Sequence, residues 1–538
     1  MRKMRNLHYY LAIFILLVLT SCSSKKSDPG ALMPKSTGLL LSVNMGSLHE
    51  KGKLAEFNNT LMFARANGYI TVMDTKLGKI VNQIVNDASQ TGIDIQGDMN
   101  LFVDNDGLEG GLILPVKDQS KLLTFVNSVC TDYGVKCEPE KINDYSALIK
   151  DGGVIAWNSE HFIVYSIRDA HDYSALKAGI DNLINQKPEE SLSSQEAYKK
   201  FMAAKKDISL FVDADLFCNL IGESGDTTGI ESNKKNIIDL FRDCSITYNV
   251  EFADDEIDLT SSIELSDKMK KIFDPNKILK SGISDKLLKI IPANSIAAYS
   301  FGVNVNEAAK GFKELLNIIT SNFQNIPDAG KLNTVLAAID SFWNKFDGDI
   351  IYSVNDYKAS DRIINSGSPA AFPEPEPVIT VGFGINDESA LDGFLKDPIF
   401  NIKENNGVYS LEAEGRIFYL VKKNKMLVVT SDPNIVEYVE KGELPNNMTS
   451  SPYKAQLLKG NFGYANLDLQ TYPESMKQIF ASNQVAKKIF DKMDIFKMIT
   501  FETDTKNNIG KGAIQLKKTN TNSFYAIIKM LDKIVAEL

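Results

Sequence analysis

Gly97-Asp98-Met99-Asn100-Leu101-Phe102-Val103 returns 251 residues later as Gly348-Asp349-Ile350-Ile351-Tyr352-Ser353-Val354. Both stretches open on Gly-Asp and run on as apolar segments of single-strand length. Further pairs follow in the same order. Asp118-Gln119-Ser120-Lys121-Leu122 matches Asp387-Glu388-Ser389-Ala390-Leu391, and Phe125 matches Phe394. Tyr145-Ser146 matches Tyr409-Ser410, and Phe211-Val212-Asp213-Ala214-Asp215-Leu216 matches Tyr464-Ala465-Asn466-Leu467-Asp468-Leu469. The openings agree as well: Pro34 precedes Val43-Asn44-Met45, and Pro292 precedes Val303-Asn304-Val305. Each match is weak alone; their common order reads as an internal duplication. The offset rises by 18 across 356–377, where SGSPAAFPEPEP (366–377) marks a Pro-rich insertion. The expected copies are 33–275 and 285–538, the second with its insertion near 357–377.

Period gives the fold class. Copy one reads as a strand over 38–45, helices near 47–65 and 79–89, and strands over 99–103 and 111–116 joined at Asp106-Gly107. A helix over 121–130 follows, then a hairpin of 154–157 and 162–166. Helices are expected over 173–184 and 197–204, a strand over 208–211, and a long hairpin of 245–252 with 257–265. Copy two repeats this and ends in a helix over 523–537. Short turns between strands, with one- or two-helix excursions, predict an α+β fold: two tandem copies of a mostly antiparallel sheet domain with helices packed on it.

The N-terminus carries a different message. Arg2, Lys3 and Arg5 precede an apolar run from Tyr9 to Leu19, which is too short for a bilayer crossing. Leu19-Thr20-Ser21-Cys22 then resembles the bacterial lipobox. That resemblance implies a signal peptide over 1–21 and acylation at Cys22, so a membrane is the expected partner. SSKKSDPGALMP (23–34) reads as the rest of a flexible tether, 22–34, with a reach of roughly 20 Å. Surface-exported lipoproteins often carry an acidic run after the Cys. Lys25-Lys26 is basic instead, which points to the periplasmic face of the outer membrane.

The 538 residues include 59 Lys and Arg against 69 Asp and Glu, a net charge of −10 with no basic block after the leader. No nucleic-acid partner is expected. Beyond Cys22 the cysteines are Cys130, Cys137, Cys218 and Cys244. An oxidising envelope permits disulfides, and four cysteines allow three pairings. Cys130–Cys137 and Cys218–Cys244 are favoured, since each flanks one helix–strand connection; copy two lacks them.

Catalytic patterns are sparse. No Gly-x-Ser-x-Gly, His-Glu-x-x-His, Cys-x-x-Cys or phosphate-binding glycine loop occurs, so no metal site or cofactor is expected. Three histidines follow the leader, His49, His161 and His171; His161, in an expected hairpin turn, and His171, in an expected loop, read as solvated loop histidines. Asp104, Asp106 and Glu109, like Asp254-Asp255-Glu256, read as acidic hairpin tips, because they lack the spacing of a calcium loop. Trp157 and Trp343 read as core. Phe372 and its prolines read as an exposed, extended loop that a partner could contact.

The leader, the lipobox, a length near 500, a Pro-led strand ending Val-Asn-Met and the doubled architecture resemble an uncharacterised family of Bacteroidetes cell-envelope lipoproteins, filed as a domain of unknown function. The resemblance implies localisation and transfers no catalytic residue. The expected function is a non-enzymatic binding or assembly component with an envelope protein partner. A polymer hydrolase using paired carboxylates and a hydrophobic-ligand carrier are the alternatives.

Overall fold

A computed structural model describes residues 28–537 apart from 151, 169–171, 224–237, 321–342, 365–371, 397–400, 414, 473, 475, 478–486, 489–490 and 506. Cys22, the leader and His171 lie outside the described residues. The chain divides into two compact units. One takes Met1–Asp226, Phe241–Glu264 and Lys518–Leu538; the other takes Thr227–Leu240 and Leu265–Lys517.

The first unit contains β1 (Thr37–Asn44), β2 (Asp98–Asp104), β3 (Glu109–Pro115), β4 (Glu140–Ile142), β5 (Tyr145–Lys150), β6 (Gly153–Trp157), β7 (His161–Ile167), β8 (Ile208–Asp213), β9 (Ser245–Ala253) and β10 (Glu256–Glu264). They pair antiparallel in the order 4-5-6-7-3-2-1-8-9-10. The second unit contains β11 (Ala297–Gly302), β12 (Phe346–Ile364), β13 (Phe372–Ile385), β14 (Lys403–Asn405), β15 (Val408–Ala413), β16 (Arg416–Lys423), β17 (Met426–Thr430), β18 (Phe462–Asn466), β19 (Phe496–Asp504) and β20 (Ile509–Leu516). Their order, 14-15-16-17-13-12-11-18-19-20, repeats the first unit strand for strand. The fold is α+β, a mostly antiparallel sheet with packed helices in each unit.

Alternation places the cores. In the first unit Leu40, Phe102, Ile113, Ile163 and Phe211 share a buried cluster with Leu176 and Ile180 of the Tyr173–Asn185 helix and with Tyr198 and Phe201 of the Glu196–Ala204 helix. In the second, Ala298, Ile351, Val428 and Phe462 meet Ile435 and Val439 of the Pro433–Lys441 helix. The repeated Gly-Asp has a steric and an electrostatic cause. A Cβ on Gly97 would meet Pro115 Cγ at 2.2 Å, and one on Gly348, at φ +88°, would meet the Val303 carbonyl at 1.9 Å. Each Asp takes an ion pair, Asp98 half-buried with Lys205 at 2.5 Å and Asp349 buried with Lys280 at 2.5 Å.

Four expectations change. The tether ends early: Asp28 caps a 3₁₀ turn at Pro29–Leu32, and Leu32 and Met33 are buried, because two apolar side chains complete the first core. The helix expected over 47–65 splits into Met45–Gly52 and Leu61–Met73, broken where Lys53 adopts φ 50°. The insertion is a hairpin extension rather than a loop: β12 and β13 stay paired out to Ile364 and Phe372. Residues 518–538, expected in copy two, belong to the first unit. There Phe524 packs on Phe252 at 4.8 Å, Ile528 joins Leu54, Phe63, Leu77 and Val81, and Asp532 accepts the Met62 N–H at 2.8 Å. The apolar stripe of the Ser523–Glu537 helix decides where it docks, and repeat order does not encode that.

Candidate functional site

The Leu61–Met73 helix is apolar on two faces. Phe63 is buried, with Met62 and Ile70 partly buried, against Leu54, Leu77, Val81 and Ile528. The second face is open: Tyr69 is 68% exposed, Val72 87% and Met73 56%. Local chemistry fixes this tip. Thr60 caps the helix by accepting the Phe63 N–H. Asp74 ends it and starts the Thr75–Asn86 helix, accepting from Lys76 and Leu77 N–H at 2.8 and 3.1 Å. The Leu77 N–H bond is the main cause holding the Asp74 carboxyl below its usual range.

The tip lies against the end of the Gln119–Tyr133 helix. The Tyr133 hydroxyl donates to Asp74 Oδ2 at 3.1 Å, Lys76 Nζ stands 5.1 Å from the Tyr133 ring centroid, and Lys79 pairs with Asp132 at 2.9 Å. Tyr133 and Val135 are themselves exposed. Tyr69, Val72 and Met73 thus stand open at the tip, with Tyr133 beside Asp74, Val135 two residues on, and Lys76, Lys79 and Asp132 alongside. This is an exposed apolar face with a charged border. The sequence shows the apolar run of the helix, but not which face stays open.

The start of the fold is clamped separately. Tyr198 OH donates to Asp28 Oδ1 at 2.6 Å and accepts the Gly30 N–H at 3.0 Å.

The sequence-predicted chemistry disperses. His161 is buried at the β6–β7 turn with its Nδ1 3.2 Å from the Tyr145 hydroxyl; burial lowers its pKa. His49 is half-buried on Met45–Gly52. Asp104 closes its turn by accepting from Leu108 and Glu109 N–H, and Glu109 accepts from Tyr165. Asp255 accepts from Thr519. Among the described residues no His, Cys, Asp and Glu group is arranged to hold a metal ion. Trp157 is buried in the core, and Trp343 is half-buried. All four cysteines are reduced thiols in this structure, Cys130 and Cys137 half-buried and Cys218 and Cys244 buried.

One carboxylate pair stands out. Asp213 ends β8 and Asp215 opens the Ala214–Glu223 helix; the Asp215 N–H donates to Asp213 Oδ1 at 2.9 Å. Burial, then the Asp215 and Asp243 charges, push Asp213 up to about 6, and burial also raises Asp215. Two shallow clefts of the second unit, about 520 and 420 Å³, lie along the Val305–Thr320 helix and share Glu314; Lys310, Lys313, Lys268 and Lys271 make their linings polar. Among the described residues no helix is long and apolar enough to cross a membrane.

The model of one protein family, described as "Domain of unknown function (DUF4836)", matches residues 30–372. No curated protein matches the sequence. Two crystal structures of TP0453, forms I and III, align at 10% identity over 45% of this chain and 81% of theirs, with TM-scores of 0.24 and 0.21, too low to carry an argument.

Proposed function

The chain belongs to the family of this domain of unknown function, DUF4836, and on that footing we propose a lipid-anchored envelope protein that binds or assembles with another envelope protein through its helical-hairpin tip. The carrying observation is the uncovered face of Tyr69, Val72 and Met73. An apolar helix face left in water beside a charged border is suited to being covered. Anchoring rests on the lipobox. Cys22 stands six residues before Asp28, so an acylated Cys22 would hold the first unit within about 20 Å of the bilayer. Lys25-Lys26 favours the periplasmic face of the outer membrane.

A photo-crosslinker at Val72, in the full chain in its native envelope, tests this. Adducts to one protein at Val72 but none at Lys199 support it; no adduct at either site counts against it. Cys22→Ala should move the protein from the membrane to the soluble fraction.

Asp213 supports a second reading, a polymer hydrolase. A carboxyl held up at about 6 suits a general acid, with Asp215 as its neighbour. Polysaccharide and peptidoglycan hydrolysis that Asp213→Asn abolishes would favour it.

A further inference from the structure

We propose that Cys130 and Cys137 are joined in the mature protein as a disulfide that staples the turn carrying Tyr133 and Val135, so that one half of the docking surface is covalently fixed. The backbone already shapes the bridge. The Gln119–Tyr133 helix ends with Gly134 in the left-handed region at φ 68°. The Val135 N–H donates to the Cys130 carbonyl at 2.9 Å and the Gly134 N–H to the Thr131 carbonyl at 3.0 Å. This is the paired C-terminal closure of a helix, and it folds the chain back over its last turn. Cys137, two residues on, is thereby turned back toward Cys130, near enough for the neighbouring thiol to raise its pKa; both are free thiols in this structure. Between them lie Tyr133, bonded to Asp74 at the hairpin tip, and exposed Val135. A bridge here closes a short loop around the side chains that complete the surface.

The reaction needs a partner of defined chemistry, a dithiol–disulfide donor protein. A thiolate of the pair attacks the donor disulfide and forms a mixed disulfide. The second cysteine then displaces the donor. One S–S bond forms on this chain, two electrons and two protons pass to the donor, and the donor leaves as a dithiol. Burial and the neighbouring thiol raise Cys137 to about 11, which disfavours its thiolate and makes Cys137 the resolving thiol rather than the first to attack.

The setting rests on the envelope reading, so the experiment separates the two. Full-length protein is taken from its native cells, fractionated, acid-quenched, labelled with a maleimide, reduced and labelled with a second maleimide. Peptide mass spectrometry then reads residues 130–137. In the envelope fraction both cysteines are expected to carry only the second label. Amide exchange at Gly134 and Val135 should quicken roughly tenfold on reduction. Cys130→Ser should expose Cys137 to the first label. First-label capture of both thiols in envelope-located protein overturns the disulfide and leaves the location intact. Should the protein fractionate with the cytosol, the location fails, and titration of the purified chain with oxidised glutathione decides the bridge. Stoichiometric intramolecular closure of 130 to 137 upholds it, and mixed disulfides alone reject it.

Discussion

Asp213 is the residue whose charge costs the fold most visibly. Its folded pKa, about 6, lies above its ordinary 3.8, so the folded state binds the proton more tightly than the unfolded chain does. The resulting stabilisation is full below 3.8 and is lost as pH rises through 6. Asp213→Asn keeps an acceptor for the Asp215 N–H and should stabilise the protein by roughly 1–2 kcal/mol at pH 7.5. That gain should vanish near pH 4, and urea denaturation at the two pH values checks it. Ser42 and Ser300 form a second test. They hold equivalent places on β1 and β11, both fully buried. Ser300 Oγ donates to the Phe462 carbonyl at 3.2 Å, whereas Ser42 Oγ has no hydrogen-bond partner among the described residues. Ser300→Ala should cost about 1 kcal/mol and Ser42→Ala should be neutral or stabilising, by the same denaturation assay. The sequence displays Asp213 inside a repeated motif, but its chemistry comes from burial and from Asp243, which the fold supplies.

At the scale of elements, the prolines of β13 have a direction. The Ile379 N–H points toward the β17 side, where it donates to Ser431 Oγ, and Pro373, Pro375 and Pro377 share its alternation. Pairing with β17 stops at Thr380, so these three nitrogens, which carry no hydrogen, line an edge with no strand paired to it among the described residues. Even-numbered Glu376 keeps its pairing with Lys358 on β12 and takes Arg416 at 3.1 Å. The projecting hairpin is thus blunted where it would otherwise recruit another strand. Pro375→Thr returns an N–H to that edge and should shift the protein toward self-association, visible as concentration-dependent light scattering. The sequence marks this insertion and its composition. It hides the strand, because proline is a poor strand former except at an edge position that only pairing defines. Elsewhere strands were legible because one face is buried and the period is two. The open face of Leu61–Met73 was not, since an apolar residue facing solvent has the same letter as one facing the core.

For the whole molecule, the shared strand order was legible from short motifs in sequence, because the Gly-Asp of each copy sits where a Cβ would clash and where its carboxylate takes a lysine, although the clashing group and the lysine differ between the copies. The fate of the last helix was not. Deleting Lys518–Leu538 removes Phe524 and Ile528 from the first unit and should cost it about 3–6 kcal/mol, leaving the second unit unchanged. Hydrogen exchange read separately over residues 28–223 and 284–517 measures this, and a fragment ending at 275 should fail to hold a stable fold. That helix also sets a timetable. A ribosome finishes the second unit before it supplies the piece that closes the first. An exported chain would therefore cross its membrane with the earlier half still incomplete, and any enzyme that modifies its leading end would meet an unfinished body.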